Sequence, residues 1–403
     1  MRPISMLRCV TLLLALLLLS ACSRAAAATA SATATPLPPT PTPFPISTMP
    51  PTPTVAVIQS GGQPIWGNTA HWSHANLPAG FGLLFHSSDL QVAASDGKTA
   101  YACAALGTQP NPRVIVTHDG GASWVYATTI PVAWGACARL VVDTLNPAVV
   151  IAQGDFLGPQ EITLDGGKSW QALSLPPQRE IVQLATRGQS AYAFMQVLVN
   201  GGSSATTILT ESTDNMHTWH EIDGNLASAN LRGFWLNPGS GALLLQTYDQ
   251  GLWTSTDDGA HWQQLGIPET SIVDRMVQQP RANQPWHLCA EYYASMDNST
   301  GSLVCTADGG HSWFAPPPVS FWQLAGIASD GSLLVYNRAY TVYRLPQGAT
   351  RWQILGAAPQ AGCCIQYIPS RNGDILWKFP AESDGAGISD KPNDVYVAAY
   401  PYR

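Results

Sequence analysis

From about residue 60 to the C-terminus the chain is a succession of short apolar runs, four to six residues each, broken by Gly, Pro, Asn and Asp. Such runs, rich in β-branched residues and bounded by turn formers, predict strands rather than helices. One stretch shows the rhythm. Cys137–Val142, Ala148–Ala152, Gln160–Thr163 and Trp170–Leu175 are strand-like, and Asn146-Pro147, Gly154 and Asp165-Gly166-Gly167 separate them. That is four strands in one unit, with an Asp-Gly-Gly turn between the third and the fourth.

The turn recurs. Thr117-His-Asp119-Gly-Gly121-Ala-Ser-Trp124, Thr163-Leu-Asp165-Gly-Gly167-Lys-Ser-Trp170, Ser212-Thr-Asp214-Asn-Met216-His-Thr-Trp219, Ser255-Thr-Asp257-Asp-Gly259-Ala-His-Trp262 and Thr306-Ala-Asp308-Gly-Gly310-His-Ser-Trp313 align without gaps. The shared form is Ser/Thr-x-Asp-x-Gly-x-x-Trp. The Asp carboxylate suits the N–H groups of its own turn, and Gly supplies a positive φ. In the third copy Met216 stands at the Gly position, which predicts strain or a different turn. All five Asp residues read as turn-making rather than catalytic.

Four antiparallel strands every 40–50 residues predict an all-β fold, a β-propeller. The Trp that opens each fourth strand counts the blades. Trp352 follows a degenerate sixth turn in which Gln347 replaces Asp, and Trp72-Ser-His-Ala-Asn-Leu-Pro78 echoes Trp170-Gln-Ala-Leu-Ser-Leu-Pro176. After Trp352 three strand-like runs remain: Cys364–Ile368, Asp374–Phe379 and Asp394–Tyr400. They lack a fourth strand, and Trp72 begins a fourth strand without a blade. Seven blades are therefore expected across 60–403, the last shared by both ends of the chain, which removes two exposed edges.

The N-terminus is a different polymer. Arg2 and Arg8 give a positive stretch ahead of an apolar run too short to span a bilayer, and Leu19-Ser20-Ala21-Cys22 ends it. This resembles a bacterial lipobox: residues 1–21 as signal peptide, and Cys22 as the acylated new N-terminus. Residues 22–59 then form a disordered Ala/Thr/Pro-rich linker, whose Pro-rich half extends at about 3.1 Å per residue. The protein is expected on the extracytoplasmic face of a bacterial cell membrane, held there by lipid, as a monomer.

Composition narrows the function classes. Charged residues are 11% of the chain and the formal net charge is -7. Nucleic-acid binders carry a basic stripe, so no nucleic-acid partner is expected. Six cysteines remain beyond Cys9 and Cys22, an even number in an exported domain. Cys289 and Cys305 fall on neighbouring strands of one hairpin and are expected to bond. Cys103 and Cys137 form a second candidate pair, and Cys363-Cys364 are either a vicinal disulfide or two thiols. No CxxC, HExxH, GxSxG or Gly-rich phosphate loop is present, so no metal, cofactor or catalytic residue is assigned. Three expected first strands, the ones that line a propeller's channel, each carry an arginine: Arg139, Arg232 and Arg275. Converging guanidinium groups would recognise a carboxylate or phosphate in bidentate fashion.

The five turns resemble the Asp-box, or BNR repeat, of sialidases, sortilin-type receptors and photosystem II assembly factors. In overall form the chain is most similar to the exported seven-bladed assembly and stability factors. That resemblance implies a non-catalytic propeller that binds a protein or glycan partner. The alternative it leaves open is an exo-sialidase-like or other glycoside hydrolase. Against it, the Phe/Tyr-Arg-Ile-Pro motif of sialidases is absent, and Pro112-Arg113-Val-Ile does not supply it.

Overall fold

In the computed structural model the described residues are 56–57, 63–66, 70–77, 81–83, 90–92, 97–106, 113–127, 139–154, 159–199, 204–226, 229–248, 250–265, 272–278, 287–293, 302–321, 323–359, 365–368, 375–378 and 395–399. They form seven separate sheets, antiparallel but for one added edge strand in each of two, the seven blades of a propeller. One 3-10 turn, Gly224–Leu226, is the helical element among them.

Blade 2 matches the sequence pattern closely, with strands Arg139–Val142, Val150–Gln153, Gln160–Thr163 and Gln171–Ala172 in order. Blade 7 consists of Ile365–Ile368, Ile375–Lys378 and Tyr396–Ala399, and its fourth strand is Trp72–His74 from the other end of the domain. Trp72 pairs with Ala398 and His74 with Tyr396. The ring is closed by sheet hydrogen bonds, as the Trp72 echo predicts.

Among the described residues no single central core forms. The buried apolar residues fall into seven clusters, one at each joint between neighbouring blades. Strand alternation sends successive side chains to opposite faces, so one strand feeds two joints. In blade 2, Ile151 packs toward blade 3 while Val150 and Ala152 pack toward blade 1, all at 0% exposure. Burial on both faces explains why the strands read as continuous apolar runs rather than alternating ones.

Three features depart from seven-fold regularity. In blade 3 the second and third strands, Ser190–Val199 and Ser204–Ser212, stay paired out to Val199 and Ser204. The corresponding hairpin of blade 2 stops at Gln153 and Gln160. Next, the first strands of blades 3 to 6 each carry a bulge, leaving Val182, Arg232, Asp274 and Ala325 outside the ladder. Finally, Ala56–Val57 adds a fifth strand to blade 5, parallel to Phe314–Ala315, and Ile65–Trp66 does the same beside Gln353 and Ile354 of blade 6. The incoming chain thus straps two blades along their outer edges before it completes a third.

Closure by Trp72–His74 sets a first prediction. A chain beginning at Gly80 would leave blade 7 with three strands and both ring ends open. Calorimetry should show loss of the single cooperative unfolding transition, or a melting temperature lower by ten degrees or more (on the order of 7 kcal/mol for a domain this large). An unchanged melt would show that closure contributes little.

Candidate functional site

The repeated turn uses each hydroxyl, carboxylate and glycine of its pattern. In the first copy the Thr117 hydroxyl donates to Asp119 Oδ1 at 2.7 Å and accepts the Gly121 N–H at 2.9 Å. Asp119 also accepts the Ser123 N–H and the Ser123 hydroxyl, at 2.9 and 2.6 Å. The same relay holds at Thr163–Asp165–Gly167, Ser255–Asp257–Gly259 and Thr306–Asp308–Gly310. Two successive residues lie at positive φ, as at Gly166 (75°) and Gly167 (86°). In the third copy Asn215 and Met216 hold the same conformation, at 57° and 67°. The turn is kept with a non-glycine residue in a strained region, and the Met216 side chain is buried at the joint with blade 2.

The glycine also docks the blade. A Cβ at Gly121 would come within 2.8 Å of Ala75, at Gly167 within 2.9 Å of Ala127, at Gly259 within 2.7 Å of the Ile222 carbonyl, and at Gly310 within 3.0 Å of Leu265. Each contacted residue stands three positions after the Trp of the preceding blade. The turn therefore rests directly on its neighbour, and only glycine permits that approach. The sequence pattern accounts for glycine by φ alone; its docking role depends on a partner about forty residues away.

Buried polar groups tie the blades at the opposite end. Gln153 of blade 2 donates to the Ile181 carbonyl of blade 3 at 2.6 Å, and Gln160 accepts the Ile181 N–H. Gln183 of blade 3 bonds both the N–H and the carbonyl of Phe234 in blade 4. Glu291 of blade 5, fully buried, accepts the Leu324 N–H of blade 6. These contacts lie at or beside the bulged stretches, where the ladder leaves backbone groups unpaired. Lys378, also fully buried, sits 4.4 Å from the centre of the Tyr340 ring.

The three arginines share one level. Arg139 pairs in register with Gln153, and Arg275 with Glu291. Arg232 is the bulged residue between the Leu231–Thr247 and Gly233–Gln246 pairs. Gln153, Gln246 and Glu291 each stand three residues beyond the partner of the turn's Ser/Thr. The arginines are thus at the end of their inner strands away from the repeated turns. Arg139 approaches Glu180 of blade 3 at 3.7 Å with about a third of its side chain exposed (34%). Arg232 is exposed and lies 4.4 Å over the Tyr248 ring. Stacking engages the guanidinium face and leaves its in-plane N–H groups able to bond an anion. The Arg275 side chain lies outside the described residues.

Cys289 and Cys305 face each other in register, with sulfurs 2.00 Å and Cα atoms 4.1 Å apart. Cys103 is also disulfide-bonded. Cys137, Cys363 and Cys364 lie outside the described residues, as do Cys22 and all of residues 1–55. Among the described residues no group of three or more metal-ligating side chains gathers, and no helix is long and apolar enough to cross a membrane.

One joint contains a cavity of about 270 Å³ between blades 5 and 6. In the sequence its neighbourhood is marked only by Gln347, where the sixth turn loses its Asp.

No protein-family model matches the chain, and no curated protein matches it. Solved structures do. YCF48 bound to D1 peptide superposes with TM-score 0.53 at 16% identity, over 84% of this chain and 99% of that one. An oligogalacturonate lyase from Vibrio parahaemolyticus gives 0.54 at 10% identity, over 83% and 98%. An ancestral GH74 enzyme gives 0.52 at 13%, over 76% of this chain and 46% of its own. At these identities the likeness is one of fold.

The turn carboxylates set a pH prediction. The Ser169 hydroxyl and N–H pull Asp165 down to about 2. Burial pushes Asp143 up to about 6, against hydrogen bonds from Thr186, Leu145 and Asn146. A depressed carboxylate stabilises the fold above its ordinary value of 3.8, and that contribution is lost as pH falls through the folded value. A raised one works the other way: the folded state keeps its proton between 3.8 and about 6, so stability falls as pH rises across that window. Melting temperature against pH should flatten between about pH 4 and 6 in Asp143→Asn, and between about pH 4 and 2 in Asp165→Ala. Profiles parallel to wild type would contradict both assignments.

Proposed function

We propose that this chain is a surface-anchored, non-catalytic binding propeller whose partner presents an acidic group. The turns are read as Asp-boxes with a purely architectural role. The observation that carries the binding reading is the common level of Arg139, Arg232 and Arg275 on three inner strands. Each stands at the end away from the turns. Meanwhile nine of the described carboxylates are engaged in the architecture: five in the turns, Glu291 at a joint backbone, Glu180, Glu221 and Asp330 with arginines. Glycoside hydrolysis needs two carboxyl groups facing one cleft, whereas these carboxylates are committed to the framework. A structural neighbour bound to a peptide is consistent with a protein partner. The chemistry of the neighbouring lyase and GH74 enzyme belongs to those proteins.

Binding to an array of extended acidic peptides tests the reading. Affinity should fall with added salt, and Arg232→Ala should weaken it tenfold or more without lowering the melting temperature. A single guanidinium–carboxylate contact of that kind is worth about 1.5–3 kcal/mol. Salt-insensitive binding, or turnover of xyloglucan, oligogalacturonate or a sialoside, would defeat it.

Anchoring is proposed through diacylglycerol on Cys22, with the Thr-Pro segment as spacer to the extracytoplasmic domain. Cys22→Ser should leave the protein unprocessed or move it from the membrane fraction to the soluble one. Normal processing and membrane retention of the variant would exclude the lipobox.

A further inference from the structure

At blades 1, 2, 4 and 5 the turn is seated on the preceding blade by its glycine, and at blade 3 Met216 fills the joint. Blade 6 is different. Its turn runs Leu345-Pro346-Gln347-Gly348-Ala349, without the hydroxyl, the carboxylate or the second glycine. Gly348 alone holds a positive φ (76°), and the Ala349 N–H bonds the Pro346 carbonyl at 2.9 Å. This is a self-contained β-turn in place of the hydroxyl relay. The residue three positions after Trp313, where the other turns dock, is Pro316. Pro316 and Ala349 both line the cavity of about 270 Å³ that opens at this joint.

We propose that this cavity is a binding site for a compact, neutral, apolar small molecule, of the size of one or two fused aromatic rings. Cys289, Cys305, Phe314, Pro316, Leu333 and Leu345 supply an apolar wall, and the lining contains no Asp, Glu, Lys or Arg. An ion would lose its hydration there without compensation. An apolar cavity of about 150 Å³ takes up benzene, so the volume here holds a bicyclic ring. Gln347, exposed at the turn, and His287 give the lining a polar edge, the usual way an apolar pocket orients its ligand. The occupant is a free molecule rather than a side chain of an extended peptide. A peptide would gain affinity by adding a strand beside the pocket. The outer edges of blades 5 and 6 are already taken by Ala56–Val57 and Ile65–Trp66.

Indole serves as the probe, read by saturation-transfer NMR and thermal shift on the intact domain. Saturable binding with a raised melting temperature is expected. Gln347→Trp, at an exposed position, should cover the pocket and weaken indole at least tenfold. Ala349→Phe should fill it and abolish binding. Non-saturable binding, or equal affinity in wild type and Gln347→Trp, would overturn the proposal even if Ala349→Phe fails to fold. Binding of the tripeptide Gly-Trp-Gly but not of indole would overturn it in favour of a protein side chain. Neither result bears on the binding proposed for Arg139, Arg232 and Arg275, which has its own test.

Discussion

The joint between two blades is the constraint on which the molecule depends. Each sheet is thin, and neither of its faces is available to water. Seven apolar interfaces replace the one core found elsewhere, and each strand must satisfy two of them at once. That requirement accounts for the composition. Val150, Ile151 and Ala152 are successive and all fully buried, so the polar face that an ordinary half-exposed strand would carry does not exist here.

Those bridges sit where the apolar joints cannot finish the job. A bulge leaves backbone groups off the ladder, and an unpaired buried N–H or carbonyl costs about 1–3 kcal/mol. Gln153, Gln183 and Glu291 meet that demand from the neighbouring blade, so the repair of one sheet is supplied by another. At the opposite end the repeated turns do the complementary task. Hydroxyl and carboxylate rigidify each turn internally, and the bare glycine lets it settle on the blade before it. Blade-to-blade registration is thus fixed at both ends of the joint, by amides at one and by close packing at the other.

Much of this was legible in the sequence because the repeat is local. Ser/Thr, Asp, Gly and Trp act within eight residues, so their meaning survives without knowledge of the partner blade. The Trp72 echo carried the closure for the same reason. What escaped was non-local. The strap pairs Ala56–Val57 and Ile65–Trp66 are two-residue strands, too short to show a period. The bulges at Val182, Arg232, Asp274 and Ala325 exist only relative to a partner strand. The long hairpin of blade 3 has the same apolar rhythm as its neighbours. Arg139, Arg232 and Arg275 were visible as inner-strand cations, but their equal height became apparent only with the register. The altered sixth turn was plain in Gln347; the space it leaves is set by Phe314 and Pro316 of another blade.

The strap gives the domain a mechanical polarity. Any pull on the chain before Ala56 loads first a two-residue parallel pair on blade 5, next the pair on blade 6, and only then the antiparallel strand that seals the ring. These contacts lie in series along one path and are short enough to separate in turn and to re-form. They therefore act as a graded strain relief. Tension is dissipated at the periphery, while the closing strand, whose loss would open the whole circle, is the last to feel it.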